Sequence, residues 1–200
     1  MSTTSPSRRF HWRVVDIVVA AVLGVTIGFL FFAWTFADGS LGSLLKAFYP
    51  PSRGLVGGIW VLGGVLGGLI IRKPGAALFV EMIAASIPAL IGSKWGLTVL
   101  LSGFLQGLGA EIVFAIFFYR LWKLPVAMLA GMVATVFEWG YETATWYAGW
   151  VRFHKMAYLG VLMVSGLILG GVLGWIIQRG LARTGALDRF DSGREIRQLV

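Results

Sequence analysis

Four carboxylates, Glu81, Glu111, Glu138 and Glu142, lie inside long apolar runs of this 200-residue chain. An acid at mid-membrane costs on the order of 3 kcal/mol or more, so such a group usually faces a bundle interior or a wet cavity. It can also stay protonated there. Glu138 and Glu142 are four apart and share one helix face, which Trp146 continues. Trp139 and Tyr141 flank that face, and Trp60 and Gln106 stand in two other apolar runs. Carboxylates suit a cation or an amino group, and aromatic faces suit a flat ring or a cation. Gln106 both donates and accepts, which suits a ring nitrogen beside an exocyclic amine.

Helices must position these groups. The pattern predicts six of them: Val14 to Phe36, Leu55 to Ile71, Ala76 to Ile91, Leu97 to Tyr119, Pro125 to Trp150, and Tyr158 to Leu181. Residues 1–13 read as a basic leader, 14–182 as one six-helix membrane domain, and 183–200 as a polar cytoplasmic tail, expected to be mobile from Asp188 to Val200. The tetrapeptide Arg72-Lys73-Pro74-Gly75 is a tight turn, with cations closing one helix and Pro74 starting the next. At about 1.5 Å per residue, Glu138 lies about 22 Å above Lys123, and Gln106 about 21 Å above Arg120. Glu81 and Glu111 sit nearer the middle, and Trp60 lies roughly 8 Å below its helix end. These heights place an aromatic and acidic cavity in one half of the membrane.

Composition narrows the class. The chain is 58% hydrophobic and 13% charged, with mean hydropathy +0.82. This is an all-α integral membrane protein, and no room remains for a sizeable soluble domain. The net charge of +8 does not signal nucleic acid, because the cations sit at the ends of apolar runs. Of 17 Lys and Arg, 12 fall on one side (8, 9, 13, 72, 73, 120, 123, 179, 183, 189, 194, 197) and 5 on the other (46, 53, 94, 152, 155). The richer side is cytoplasmic, so both termini are expected inside and the loops 38–54, 92–96 and 151–157 outside. The cavity then opens outward. With no cysteine, a disulfide framework, a thiolate metal site and a Cys nucleophile are excluded. His11 and His154 fall near membrane surfaces, which argues against a His-based metal site in the core. The first apolar run is too long for a signal-peptide core and lacks an A-x-A cleavage site, so it reads as a retained helix.

Plainer readings stand beside the functional ones. Glu138 and Glu142 could be solvated near the surface, and Glu81 or Glu111 could tie helices together by hydrogen bonds. Trp12, Trp34, Trp95, Trp146, Trp150 and Trp175 fall near helix ends, where interfacial anchoring is the default. Ala20, Gly24 and Gly28 form a small-residue stripe, suited equally to packing in this bundle or to docking a partner subunit.

Three strings carry a resemblance: IRKPGAAL (71–78) followed by Glu81 and Ala84-Ala85, QGLGAEIVFA (106–115), and MLAGM (128–132). With GIW at 58–60, they resemble the YkoE family, substrate-binding S components of energy-coupling factor (ECF) vitamin transporters. The likeness runs from about residue 14 to 182. It implies a six-helix S-component fold in the bacterial plasma membrane that captures thiamine or its hydroxymethylpyrimidine precursor from outside. It also implies a transmembrane coupling protein (T component) and a pair of cytoplasmic ATP-binding cassette subunits, which would use the ATP. No cofactor or metal is expected in the chain itself. The stripe Ala20, Gly24, Gly28 resembles the S-component surface that docks on the coupling protein. Trp60, Glu81, Gln106 and Glu111 stand on matching strings. Glu138, Trp139, Tyr141, Glu142 and Trp146 do not, and their binding role rests on depth and chemistry.

The chain lacks a G-x-x-x-x-G-K-[ST] loop and cannot power uptake alone. An intramembrane enzyme is a competing reading, since paired acids can do acid–base work. Against it, no G-x-S-x-G or H-E-x-x-H string and no buried His base occurs. An S component for another aromatic or cationic ligand, or a non-catalytic structural subunit, completes the alternatives.

Overall fold

The structure, a computed structural model, describes residues 10–197. Most of the basic leader, including Arg8 and Arg9, and residues 198–200 of the tail lie outside the described residues. Among the described residues every regular element is helical. In order they are α1 (Val14–Phe48), a 3-10 segment (Pro50–Val61) running into α2 (Leu62–Ile71), then α3 (Ala76–Ile91), α4 (Thr98–Ile116) and α5 (Leu124–Thr145). There follow α6 (Arg152–Ser165), a π-helical segment (Gly166–Val172), α7 (Leu173–Arg183) and α8 (Asp191–Arg197). Five segments are long and apolar enough to cross a bilayer: Val14–Phe48, Pro50–Ile71, Thr98–Ile116, Leu124–Thr145 and Arg152–Arg183. The apolar helix α3, with 16 residues, is shorter.

Turn chemistry sets the boundaries. Arg72 takes a left-handed conformation (φ 57°) that ends α2, and Gly75 (φ 83°) leads into α3. Gly92 (φ 112°) ends α3, a conformation that glycine adopts at little cost. Pro125 sits in the first turn of α5, where a missing N–H is harmless.

Two outer loops expected from sequence are largely helical. α1 does not stop near Phe36 but runs 35 residues, about 52 Å at 1.5 Å per residue. Asp38, Ser40 and Ser43 continue the helix, each with a partner. Asp38 is 4% exposed and pairs with Lys94 Nζ at 3.3 Å and Arg53 Nη2 at 3.7 Å. The Ser40 and Ser43 hydroxyls donate back to the Phe36 and Gly39 carbonyls. Likewise residues 152–157 form the first turns of α6.

The stripe Ala20, Gly24, Gly28 packs against α3 in the bundle, the first of the two uses its small residues allow. Ala20 is fully buried. A Cβ on Gly24 would fall 2.7 Å from Ile83, and one on Gly28 would fall 2.6 Å from the Cβ of Ile87. The glycines let α3 approach α1 to backbone distance, and this close packing replaces the hydrophobic drive that lipid cannot supply.

A second close approach joins α5 to the π segment. Gly171 lies so near Met128 that an added Cβ would sit 2.6 Å from its Cα. Ser165, where α6 meets the π segment, accepts from the Gly58 N–H (2.9 Å) and donates to the Leu55 carbonyl (2.6 Å). One hydroxyl thus ties this irregular stretch to the 3-10 segment, and both irregularities are satisfied inside protein as lipid requires.

The described part of the tail is docked, not loose as expected from its polarity. Leu187 and Phe190 are buried. The Ser192 hydroxyl donates to the Ile70 carbonyl (2.9 Å), and Gln178 Nε2 donates to the Ser192 carbonyl (3.1 Å).

Candidate ligand-binding site

A cavity of about 750 Å³, counted as all the space between its walls out to the mouth, lies among α1, the 3-10 segment and α3 to α6. Its lining residues lie toward the helix ends opposite the Arg72–Gly75 turn. Seven of the nine residues expected from sequence line it: Trp60, Glu81, Gln106, Glu138, Tyr141, Glu142 and Trp146.

Glu81 lies deepest. It is fully buried on α3, and its Oε2 accepts the Gly64 N–H at 2.5 Å. Gly64 is in the first turn of α2, where a helix leaves amide donors without internal partners. The other oxygen, Oε1, is buried and has no hydrogen-bond partner.

A polar chain crosses from α4 to α5. Ser102 and Gln106 are four apart on α4 and share a face. Gln106 Nε2 donates to Ser102 Oγ (2.9 Å), and the Ser102 hydroxyl lies 2.8 Å from both oxygens of Glu138. One turn further, Glu142 accepts a hydrogen bond from the buried Tyr158 hydroxyl of α6. Arg53 lies near the Glu142 and Asp38 carboxylates, with its guanidinium 5.5 Å from the Tyr147 ring centroid. Tyr147, in the loop after α5, has its phenol held well above the usual range by burial and by the charge of Glu142.

Aromatic rings complete the walls. Trp60 meets Phe31 at 5.3 Å and Trp95 edge-on at 5.5 Å between centroids, so its indole is held by other rings. Lys94 Nζ lies 4.2 Å from the Trp95 centroid while pairing with Asp38. Trp95 therefore lines the cavity, where sequence reading placed it as an interfacial anchor. Half-exposed Trp146 stands among the lining residues as well.

Two expected site residues are elsewhere. Glu111 accepts from the N–H groups of Gly75 (2.6 Å), Ala77 (2.9 Å) and Leu78 (3.3 Å) and from the Tyr119 hydroxyl (2.7 Å). It caps α3 from α4, and its carboxylate suits the positive end of that helix. Burial and this carboxylate push the Tyr119 phenol up. Trp139 points away from the cavity; its Nε1 donates to the Lys155 carbonyl (2.7 Å), and its ring packs by Tyr147, Tyr158 and Leu162.

Sequence reading missed Asp38, Arg53, Trp95, Ser102 and Tyr158. Ser102 had a signal, its four-residue spacing from Gln106. Asp38 and Arg53 read as loop residues, and only their burial reveals them. Among the described residues no group of three or more His, Cys, Asp or Glu is placed to hold a metal. The arrangement can accept hydrogen bonds from a donor-rich ring, offset a cation, and offer indole faces to a flat system.

Residues 15–137 match the family described as "ABC-type cobalt transport system, permease component". The chain is 34% identical over 189 residues to YkoE of Bacillus subtilis (strain 168), a protein provisionally named an HMP/thiamine permease. That match covers 94% of this chain and 93% of the relative. A crystal structure of an S component of an ECF transporter superposes with a TM-score of 0.87 at 34% identity, covering 94% of both chains. These relatives are transport proteins rather than enzymes, and the apolar helices are those of a multi-pass plasma-membrane protein. The chain belongs to the YkoE family of S components of ECF transporters.

Proposed function

We propose that this chain captures thiamine, or its hydroxymethylpyrimidine precursor, from outside the cell and delivers it through an ECF importer. In this reading it crosses the membrane six times with both termini in the cytoplasm, and the cavity opens outward. The 12-to-5 partition of Lys and Arg supports that orientation. A T component and a pair of ATP-binding cassette subunits supply the energy, and the chain needs no cofactor of its own.

The observation that carries the ligand class is the cavity's charge. Its lining holds four carboxylates, Asp38, Glu81, Glu138 and Glu142, against the single cation Arg53, beside the indoles of Trp60, Trp95 and Trp146. A cationic heteroaromatic with a ring amine meets all of these demands. Thiamine carries a thiazolium cation and an aminopyrimidine. The aminopyrimidine lies deep, with its amine on Glu81 Oε1 and a ring nitrogen by Gln106 and Ser102. The thiazolium lies nearer Glu138 and Glu142. Trp60 and an aromatic of α5, Tyr141, flank a ring. Another flat cation fits the same acids and indoles, and competition separates it from thiamine.

The test is quenching of tryptophan fluorescence in purified protein by thiamine, pyrithiamine and free hydroxymethylpyrimidine. Saturable quenching by thiamine, lost in Trp60→Ala and Glu138→Gln, is expected. No binding of any of the three overturns the ligand assignment.

A further inference from the structure

The geometry points to Arg53 as a specificity-determining residue that donates, through its Nε–H, to a neutral oxygen on the outward arm of the ligand. The inference rests on the ligand reading above and adds a demand that the acids and indoles do not make. Arg53 belongs to the 3-10 segment, and its side chain is 20% exposed. In a 3-10 helix residues three apart eclipse one another. Gly57 and Trp60 line the cavity from one row, and Arg53 lines it from the start of the neighbouring row.

An arginine presents five donors in a planar fork. On this one the Nη2 end reaches toward Asp38 Oδ1 at 3.7 Å, and the guanidinium lies 5.5 Å from the Tyr147 ring. The Nε atom is buried and has no hydrogen-bond partner. A buried donor without a partner is rare enough in folded proteins to call for a cause. Among the described residues the one other buried side-chain atom of this cavity's lining without a hydrogen-bond partner is Glu81 Oε1. The two are complementary in kind. One is an acceptor at the deep end, and the other is a donor on the outward side. A ligand with an amine at one end and an oxygen at the other satisfies both.

The oxygen is neutral. Asp38 and Glu142 are the carboxylates that act on Arg53, and Lys94 is already paired with Asp38. A phosphate or carboxylate arm would meet those two acids at close range. A hydroxyl accepts from Nε without that repulsion and can donate its own proton to either acid. The hydroxyethyl arm on the thiazolium of thiamine has this character.

The experiment compares thiamine with its analogue bearing ethyl in place of hydroxyethyl, in wild type and in Arg53→Lys. Lysine keeps the charge but has no donor at the Nε position. In wild type the ethyl analogue should bind about tenfold or more weakly, the usual worth of a hydrogen bond to a charged group. In Arg53→Lys the two ligands should bind within about twofold of each other. Equal binding of both by wild type, or a tenfold gap kept in Arg53→Lys, overturns the inference and leaves the thiamine assignment standing. If Arg53→Lys does not fold, Arg53→Met takes its place, since it too has no donor at the Nε position, and a tenfold gap kept in it overturns the inference. A wild type that binds neither ligand overturns both readings together.

Discussion

Glu81 and Glu111 make an instructive pair. Both are glutamates buried in apolar helices. Glu111 is saturated: three backbone amides and a phenol point at its two oxygens. Glu81 has one amide on one oxygen and nothing on the other, and it lines a cavity. A buried carboxylate whose acceptors are all used has a structural explanation in full. One that is half used still has chemistry to offer. The same contrast separates the two ends of the bundle. The turn at Arg72–Gly75 is fastened by internal bonds, while the opposite end keeps donors and acceptors for something else.

The largest effect should come from the saturated end. Glu111→Leu strands three backbone N–H groups, each worth about 1–3 kcal/mol when left buried and unpaired. Thermal unfolding in detergent should show a loss of at least about 3 kcal/mol, or no folded protein. Near-native stability would break the comparison at its structural side.

Next comes the α1–α3 seam. Gly28→Val puts side-chain atoms where Ile87 already stands, and overpacking of this kind costs about 1–3 kcal/mol. A stable Gly28→Val protein that fails only to assemble with its coupling partner would assign the stripe to docking instead.

Glu81→Gln sharpens the contrast from the binding side. An amide still accepts from Gly64 but brings no negative charge to the cavity. Thiamine affinity should fall by roughly tenfold to a hundredfold, the range for hydrogen bonds to charged groups. The melting temperature should change little. A variant that loses stability while binding thiamine normally would move Glu81 to the structural class.

The smallest effect is expected at Trp139→Phe. It removes one hydrogen bond to the Lys155 carbonyl, worth about 1 kcal/mol of stability. Thiamine affinity should stay within about twofold, and a tenfold loss would return Trp139 to the site.

Class and contents were legible in the order of residues. Hydropathy alone marks the apolar segments, because a bilayer requires about 20 apolar residues per crossing helix. The depth of the acids follows from counting rise per residue, and seven of nine expected residues do line the cavity. Four-residue spacing puts Glu138 and Glu142 on one face, which is a property of the helix itself. Spacing does not say which way a face points. Glu111 turns to amides 33 to 36 positions earlier in the chain, and Trp139 turns to a carbonyl on α6. Ala20, Gly24 and Gly28 meet α3 because of how two helices cross, and no local pattern encodes that. Asp38 looked like the start of a loop because a lone acid ends an apolar run. Only the folded chain brings Lys94 and Arg53 to it, and those partners let α1 continue. The residue types and their heights are thus properties of a one-dimensional chain in lipid. Which acids are paired and which are left with a free oxygen depends on contacts between distant segments, and only the tertiary structure decides it.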